Sequence, residues 1–344
     1  MKTIEIDGSF GEGGGQILRT ALSLSCITGH ALRLFNIRKG RKKPGLMPQH
    51  LTCVEAIKNI CSADVTGNET GSTELAFVPG KIRPGDYLFD IKTAGSVSLV
   101  IQTLIPPLLF AVKPSSVTVI GGTHVPLSPP YDYISGIFIP MLNRLGLKVE
   151  ASIGKYGFYP KGGGEVNFKI FPEEKIRGID MVSRGGLLSL TGQSAVANLP
   201  VGIAERQRHS AMQNLLPLAA NINVMEVPSF GHGTFLFLKG KYENISAGFS
   251  SLGERGKPAE AVGREAAEAF KEYHKTTACL DPHLADQSVI YFGLASEKSV
   301  FTTSRVTQHL MTNLWVIEKF LKITYEIKGS PDSEGEVVVH PAAC

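Results

Sequence analysis

The sequence predicts an α/β (α+β) fold: three repeats of one β-α-β-α-β-β unit, with a smaller α/β domain spliced among them. Two observations carry this. First, the second half of the unit recurs at Pro48-Gln49-His50-Leu51, at Pro130-Tyr131-Asp132-Tyr133 and at Thr307-Gln308-His309-Leu310. Each copy opens an apolar stretch of helical period: Leu51, Val54, Ile57 and Ile60, then Ile134, Ile137, Leu142 and Leu145, then Leu310, Leu314, Ile317 and Leu321. Second, each helix leads into a strand (63–66, 147–153, 323–327), a polar or Gly-rich turn, and another strand (74–78, 165–170, 336–340). A period this long exceeds that of solenoids and marks a duplicated domain of helix-backed sheets.

In chain order, the first unit covers about 1–80. A strand at 3–6 enters the run Gly11-Glu12-Gly13-Gly14-Gly15. A helix at 16–26, a strand at 31–37, a basic loop and the helix from His50 follow. The second unit, about 81–175, repeats this with a strand at 87–91, the turn Thr93-Ala94-Gly95-Ser96, a helix through Gln102 and a strand at 116–120. The third, 278–340 plus a preceding strand, has a helix at 284–294, a strand at 299–303 and the helix from His309. Between 184 and 277 the pattern changes: a strand at 187–191, a polar helix at 204–216, strands at 223–227 and 234–239, and an amphipathic helix at 258–273. The expected division is a large catalytic domain, 1–183 with 278–344, and a small inserted domain, 184–277.

Composition narrows the function classes. With 344 residues the chain is too long for one ordinary core, and its 43% hydrophobic content is that of a folded globular protein. The most apolar stretch, 98–112, is too short for a bilayer and is broken by Gln102 and Pro106-Pro107. No signal-peptide core precedes the first strand. Cys26, Cys53, Cys61, Cys279 and Cys344 form neither a zinc pattern nor a disulfide framework, so a cytoplasmic location is expected. The net charge of +4 is modest. It is concentrated in Arg38-Lys39-Gly40-Arg41-Lys42-Lys43, either a solvated loop or a phosphate-gripping one.

Three places could carry chemistry. The Gly-Glu-Gly-Gly-Gly-Gln run, between strand and helix, suits backbone approach to an anion or simply tight packing. Glu12 would repel phosphate unless a cation sat between, as Mg²⁺ does. Gln16 and Arg19 lie on the following helix, within reach of the same anion. In His283-Leu284-Ala285-Asp286-Gln287, Asp286 either serves the start of a helix or contacts a metal or nucleotide. Gln102, polar in an apolar helix, needs partners. Finally, His50 and His309 occupy equivalent helix starts. A neutral imidazole attacks phosphorus without first losing a proton, but composition does not choose between the two.

These residues resemble the motifs of the RNA 3′-terminal phosphate cyclase family. The likeness runs through Gly11-Glu12-Gly13-Gly14-Gly15-Gln16-Ile17-Leu18-Arg19, Arg38-Lys39-Gly40-Arg41, Pro44-Gly45-Leu46 and Gln49-His50-Leu51. It continues through Gly157-Phe158-Tyr159-Pro160-Lys161-Gly162-Gly163-Gly164-Glu165, Leu284-Ala285-Asp286-Gln287 and His309-Leu310-Met311-Thr312-Asn313. It implies units like the C-terminal domain of translation initiation factor 3. It also implies an enzyme that uses ATP, with Mg²⁺ or Mn²⁺, to convert an RNA 3′-phosphate into a 2′,3′-cyclic phosphodiester. His309 would carry AMP covalently and pass it to the RNA end, and the neighbouring 2′-hydroxyl would then displace it. By motif position, Glu12 would hold the metal. Gln102, Pro130 and His283, Leu284, Ala285, Asp286 and Gln287 would contact ATP. Gln16, Arg19, Arg38, Lys39, Arg41 and Gln49 would hold phosphates of nucleotide or RNA. Two departures stand out: some members carry Tyr at His283, and many carry Asp at His124. RNA, ATP and a second copy of the chain are the partners considered; a membrane is not. Two rivals remain, a non-catalytic RNA-binding ribosome-assembly factor of the same fold, and an enolpyruvyl transferase on related repeats.

Overall fold

The structure, a computed structural model, describes residues 2–341. It is a mixed α/β protein with four four-stranded sheets. The first comprises β1 (Thr3–Asp7), α1 (Gly15–Thr28), β2 (Ala31–Phe35), α2 (Pro48–Cys61), β3 (Asp64–Thr66) and β4 (Leu75–Val78). The strand order is β1-β2-β4-β3, with β1 and β2 parallel and the other pairs antiparallel. The second comprises β5 (Asp86–Asp90), α3 (Val97–Leu108), β6 (Ser115–Gly121), α4 (Tyr131–Tyr133) running through a π-turn into α5 (Ile139–Arg144), β7 (Val149–Lys155) and β8 (Gly164–Ile170). Its order, β5-β6-β8-β7, carries the same pairing signs. Then come β9 (Asp180–Met181), β10 (Leu187–Ala197), α6 (Gly202–Leu215), β11 (Asn221–Glu226), β12 (Gly233–Tyr242), β13 (Ser246–Leu252), α7 (Ala259–Lys275), α8 (Pro282–Leu294), β14 (Ser299–Thr303), α9 (Gln308–Phe320), β15 (Thr324–Lys328) and β16 (Gly335–His340).

A third sheet, ordered β9-β14-β16-β15, again has one parallel and two antiparallel pairs. Its first strand, β9, is only two residues long, and residues 187–275 intervene before α8. Those residues build the fourth sheet, β11-β10-β12-β13, covered by α6 and α7. Two strands escape the sequence pattern. β9 is too short for any period, and β13 begins with the small residues Ser246-Ala247-Gly248, which dilute its alternation. The π-turn over Ile134–Phe138 is also new. Pro140 lacks an N–H and crowds the preceding turn, and the Ile139 amide reaches back to the Ile134 carbonyl.

Each sheet buries at least one face, and the central strands of the fourth are buried on both. In β5 and β15 every second residue is exposed. The helices of different units then meet each other: α1 packs on α3 and α9, α2 on α3, and α8 on α3 and the π-turn. Polar groups pin this contact. The Thr20 hydroxyl donates to Asn313 Oδ1 (2.8 Å), and Asn313 Nδ2 donates to the Asp286 carbonyl (2.7 Å), tying α1, α9 and α8 together in the interior. Cys26, Cys53, Cys61 and Cys279 are free thiols in this core, while Cys344 lies outside the described residues. No helix among the described residues is long and apolar enough to cross a membrane.

Asn313→Ala would leave the Thr20 hydroxyl without its partner and remove the second donor to the Asp286 carbonyl. It should cost about 3 kcal/mol in denaturant unfolding. Adding Thr20→Val should recover part of that loss; strictly additive effects would show that the three-helix clamp does not exist.

Candidate active site

The β1–α1 loop lies against the first turn of α9. Gly11 (φ +57°) needs both its backbone freedom and its missing side chain: a Cβ there would lie 2.4 Å from Thr312 Oγ1 and 2.9 Å from Gln308 Nε2. That approach brings Glu12 Oε2 to 3.2 Å from His309 Nε2 and 3.5 Å from Arg41 Nη2. The Glu12 and His309 side chains are both about two-fifths exposed, at 35% and 41%. Burial is the largest influence on His309 and lowers its pKa. Arg19, His283 and Arg41 push the same way, while Glu12 opposes them, and the balance favours the neutral ring.

His50, the rival imidazole, is committed elsewhere. Its Nδ1 accepts from the Met47 amide (3.1 Å), closing a capping box at the start of α2. Its Nε2 abuts Gly15, where a Cβ would come within 2.3 Å. Burial, then Arg19 and Arg38, push its pKa down to about 3. A fully occupied, buried ring of this kind is a helix cap.

Residues from three other elements surround His309. Thr307 caps α9, its hydroxyl accepting from the Leu310 amide (3.0 Å) and donating to Asp286 Oδ1. Asp286 is buried, and burial pushes its carboxyl up to about 8, with Asp281 and Glu12 adding to the shift. Asp286 is not at the start of α8, as the sequence suggested. The cap is Asp281, whose Oδ1 accepts from the His283 and Leu284 amides and whose carboxylate takes the Tyr133 hydroxyl. Burial raises the Asp281 pKa as well. Within 283–287, Leu284 and Ala285 are fully buried core residues, so only His283 and Gln287 present side chains toward solvent. Gln287 Oε1 accepts from Gln102 Nε2 at 2.6 Å, which explains the polar residue in apolar α3.

The other expected residues divide in use. Arg19 lies beside Gly15 and His50, and burial lowers its pKa. Arg38 is spent on its own loop, donating from Nη1 to the Lys43 (2.8 Å) and Gly45 (3.0 Å) carbonyls. Lys39 is exposed; Gln16 is half-buried one residue into α1. Gln49 is half-buried against the turn at Gly95, and Pro130 is buried at the start of α4. His124 is a buried latch: Nε2 pairs with Asp132 Oδ2 (2.7 Å), Nδ1 with the Thr123 hydroxyl (2.9 Å), and the ring lies on Tyr156 and Phe235. Asp281, Thr307 and Asn313 were not anticipated. Asp281-Pro282 and Thr307 before an apolar run do carry helix-start signals.

A family model described as RNA 3′-terminal phosphate cyclase matches residues 10–327, a span that includes the Glu12 loop, α8 and the start of α9. The chain belongs to the RNA 3′-terminal phosphate cyclase family. It is an enzyme of that family, and relatives align end to end. RNA 3′-terminal phosphate cyclase of Methylococcus capsulatus is 43% identical, covering 99% of this chain and 97% of its own. That of Methanopyrus kandleri is 42% identical with 99% of both chains covered, and that of Pyrococcus furiosus 40% with 98% of both. Among solved structures, EPSP synthase from Acinetobacter baumannii superposes with a TM-score of 0.28 at 9% identity, covering 100% of this chain and 66% of that one, too weak a likeness to bear on the fold.

Two titrations follow. The His309 ring, read by imidazole NMR, should titrate below the ordinary histidine value of about 6.5. It should titrate lower still in Glu12→Gln, because Glu12 stabilises the charged ring; an unchanged midpoint would contradict the pairing. Asp286 keeps its proton in the folded chain up to about pH 8, whereas the unfolded chain loses it near 3.9. Stability should therefore fall as pH rises from about 4 to about 8. Asp286→Asn should flatten this loss without abolishing it, since Asp281 contributes in the same direction, and thermal unfolding at both ends of the window would show it.

Proposed function

We propose that the chain converts an RNA 3′-terminal phosphate into a 2′,3′-cyclic phosphodiester at the expense of ATP, with His309 as the covalent carrier of AMP. The observation that supports this most strongly is the placing of His309 at the start of α9, with Nε2 3.2 Å from Glu12 on the glycine-rich loop. In the first step His309 Nε2 attacks the α-phosphorus of ATP, the bond to the β-phosphate oxygen breaks and pyrophosphate leaves. The RNA 3′-phosphate then attacks the histidine-bound AMP, giving an adenylated end and restoring the imidazole. Finally the vicinal 2′-hydroxyl, held close by its own ribose, attacks the activated phosphate, and AMP departs.

The surrounding residues supply position and charge. Thr307 and Asp286 fix the helix turn that presents His309. The positive start of α9, Arg41 and Arg19 favour phosphate oxygens near the ring. His283, the Gln102–Gln287 pair and Pro130 are candidates for the adenine side; Gln16, Lys39 and Gln49 are candidates for phosphate. No group of three metal-ligating side chains occurs among the described residues. A single carboxylate on a phosphate-binding loop does suit Mg²⁺ or Mn²⁺ that arrives with nucleotide phosphates, and Glu12 would hold it. When bound, that cation would neutralise triphosphate charge.

The three sheets of identical order support the reading of 1–183 with 278–344 as one catalytic body of three units, like the C-terminal domain of translation initiation factor 3, with 184–277 inserted. A ribosome-assembly role without catalysis would not require a neutral imidazole at this place.

With ATP labelled at the α-phosphate, the wild-type protein should acquire acid-labile, base-stable label, and His309→Ala should acquire none. His309→Ala should also fail to cyclise a 3′-phosphate oligonucleotide, while His50→Gln, if folded, should still label. Undiminished labelling of His309→Ala would refute the mechanism.

A further inference from the structure

On the loop that carries Glu12, and against α9, lies an aromatic surface that the chemistry above does not use. Phe10 sits two residues before Glu12 and is 41% exposed. One face of its ring is stacked on Trp315, with centroids 4.0 Å apart and planes 14° apart. Trp315 lies six residues after His309 on α9, a rise of about 9 Å. The Lys319 ammonium is 5.5 Å from the Trp315 ring and forms no ion pair among the described residues. The other flank of the same loop is cationic: Arg41 reaches Glu12 at 3.5 Å, and Lys39 acts on Asp7, with Lys42 and Lys43 exposed alongside.

An exposed phenyl ring buttressed by an indole, next to a phosphate-activating histidine and flanked by cations on both sides, has the properties of a base-stacking platform. A loop held as tightly as this one, with Gly11 against Thr312 and Gln308, keeps such a ring in place without loss of freedom on binding. We propose that Phe10, on Trp315 and with Lys319, stacks a base of single-stranded RNA just upstream of the 3′-terminal nucleotide. The occupant is nucleic acid rather than the adenine of ATP because the polar groups suited to a nucleotide, His283 and the Gln102–Gln287 pair, stand on α8 and α3, while Phe10 stands on the β1–α1 loop against Trp315 of α9. Aromatic stacking tolerates any base, so the platform would set affinity and strand direction without setting sequence. The proposal deepens the RNA-end reading and rests on it for the identity of the strand.

The test is RNA binding without ATP or metal, so that it is independent of adenylation. Trp315 is the sole tryptophan of the chain and reports directly on the site. Titration of a six-nucleotide RNA ending in a 3′-phosphate should change Trp315 fluorescence in the wild type. An oligonucleotide abasic at the penultimate and preceding positions should bind about tenfold more weakly. Phe10→Leu should lose about tenfold in affinity for the intact strand but little for the abasic one, and Phe10→Tyr should restore binding. Lys319→Glu, at an exposed position where folding is not at stake, should weaken both strands and reduce the salt dependence. Equal affinity of wild type and Phe10→Leu for the intact strand would overturn the proposal. So would a loss of ATP binding in Phe10→Leu with RNA binding intact, which would put the adenine there instead. If the wild type binds RNA as described but forms no adenylate, the platform stands and the proposed reaction falls.

Discussion

The start of α9 is fixed from two sides, and the rest of the site depends on that fixation. From α8, Asp286 holds the Thr307 hydroxyl, which caps the helix, and Asn313 ties the next turn to α1 and α8. From β1, a loop stripped of side chains at Gly11 lies close enough for Glu12 to meet His309. A longer side chain at either contact would move the imbalance of charges around one imidazole. Burial of that ring lowers its pKa, and Glu12 opposes the shift.

Two histidines at equivalent helix starts show how repetition separates into roles. In the first unit, His50 turns back into its own helix and is sealed by Gly15, with its basicity suppressed by burial and two arginines. In the third unit the capping is done by Thr307, which frees His309 to face the loop. One position in the repeat thus caps its own helix where a hydroxyl cap is lacking and faces the Glu12 loop where Thr307 supplies one. Met47 is the residue that needs the histidine; Thr307 does not.

The repeated elements and three of the four inserted strands were legible because helical and alternating periods survive in the sequence. What failed was local in each case. A strand before the third unit was expected, but β9 is two residues long and is defined by its partner β14, so no pattern could place it. Pro140 ends one hydrogen-bond register and starts another, which periodicity alone reads as a continuous helix. In the candidate site, Glu12 meets His309, and Gln102 finds its partner in Gln287. Leu284 and Ala285 are core residues on the inner face of α8, and Arg38 spends its guanidinium on its own loop. Which face of a helix points inward, and which cation finds an internal carbonyl, are decided by tertiary contact.

The central claim is that one imidazole, His309, takes AMP. Mass mapping of peptides from the protein after incubation with Mg²⁺ and ATP, handled under basic conditions that preserve a phosphoramidate, tests it most directly. The account predicts an AMP adduct on the peptide containing His309. An adduct on the His50 peptide or on a lysine, with the His309 peptide unmodified, would contradict it.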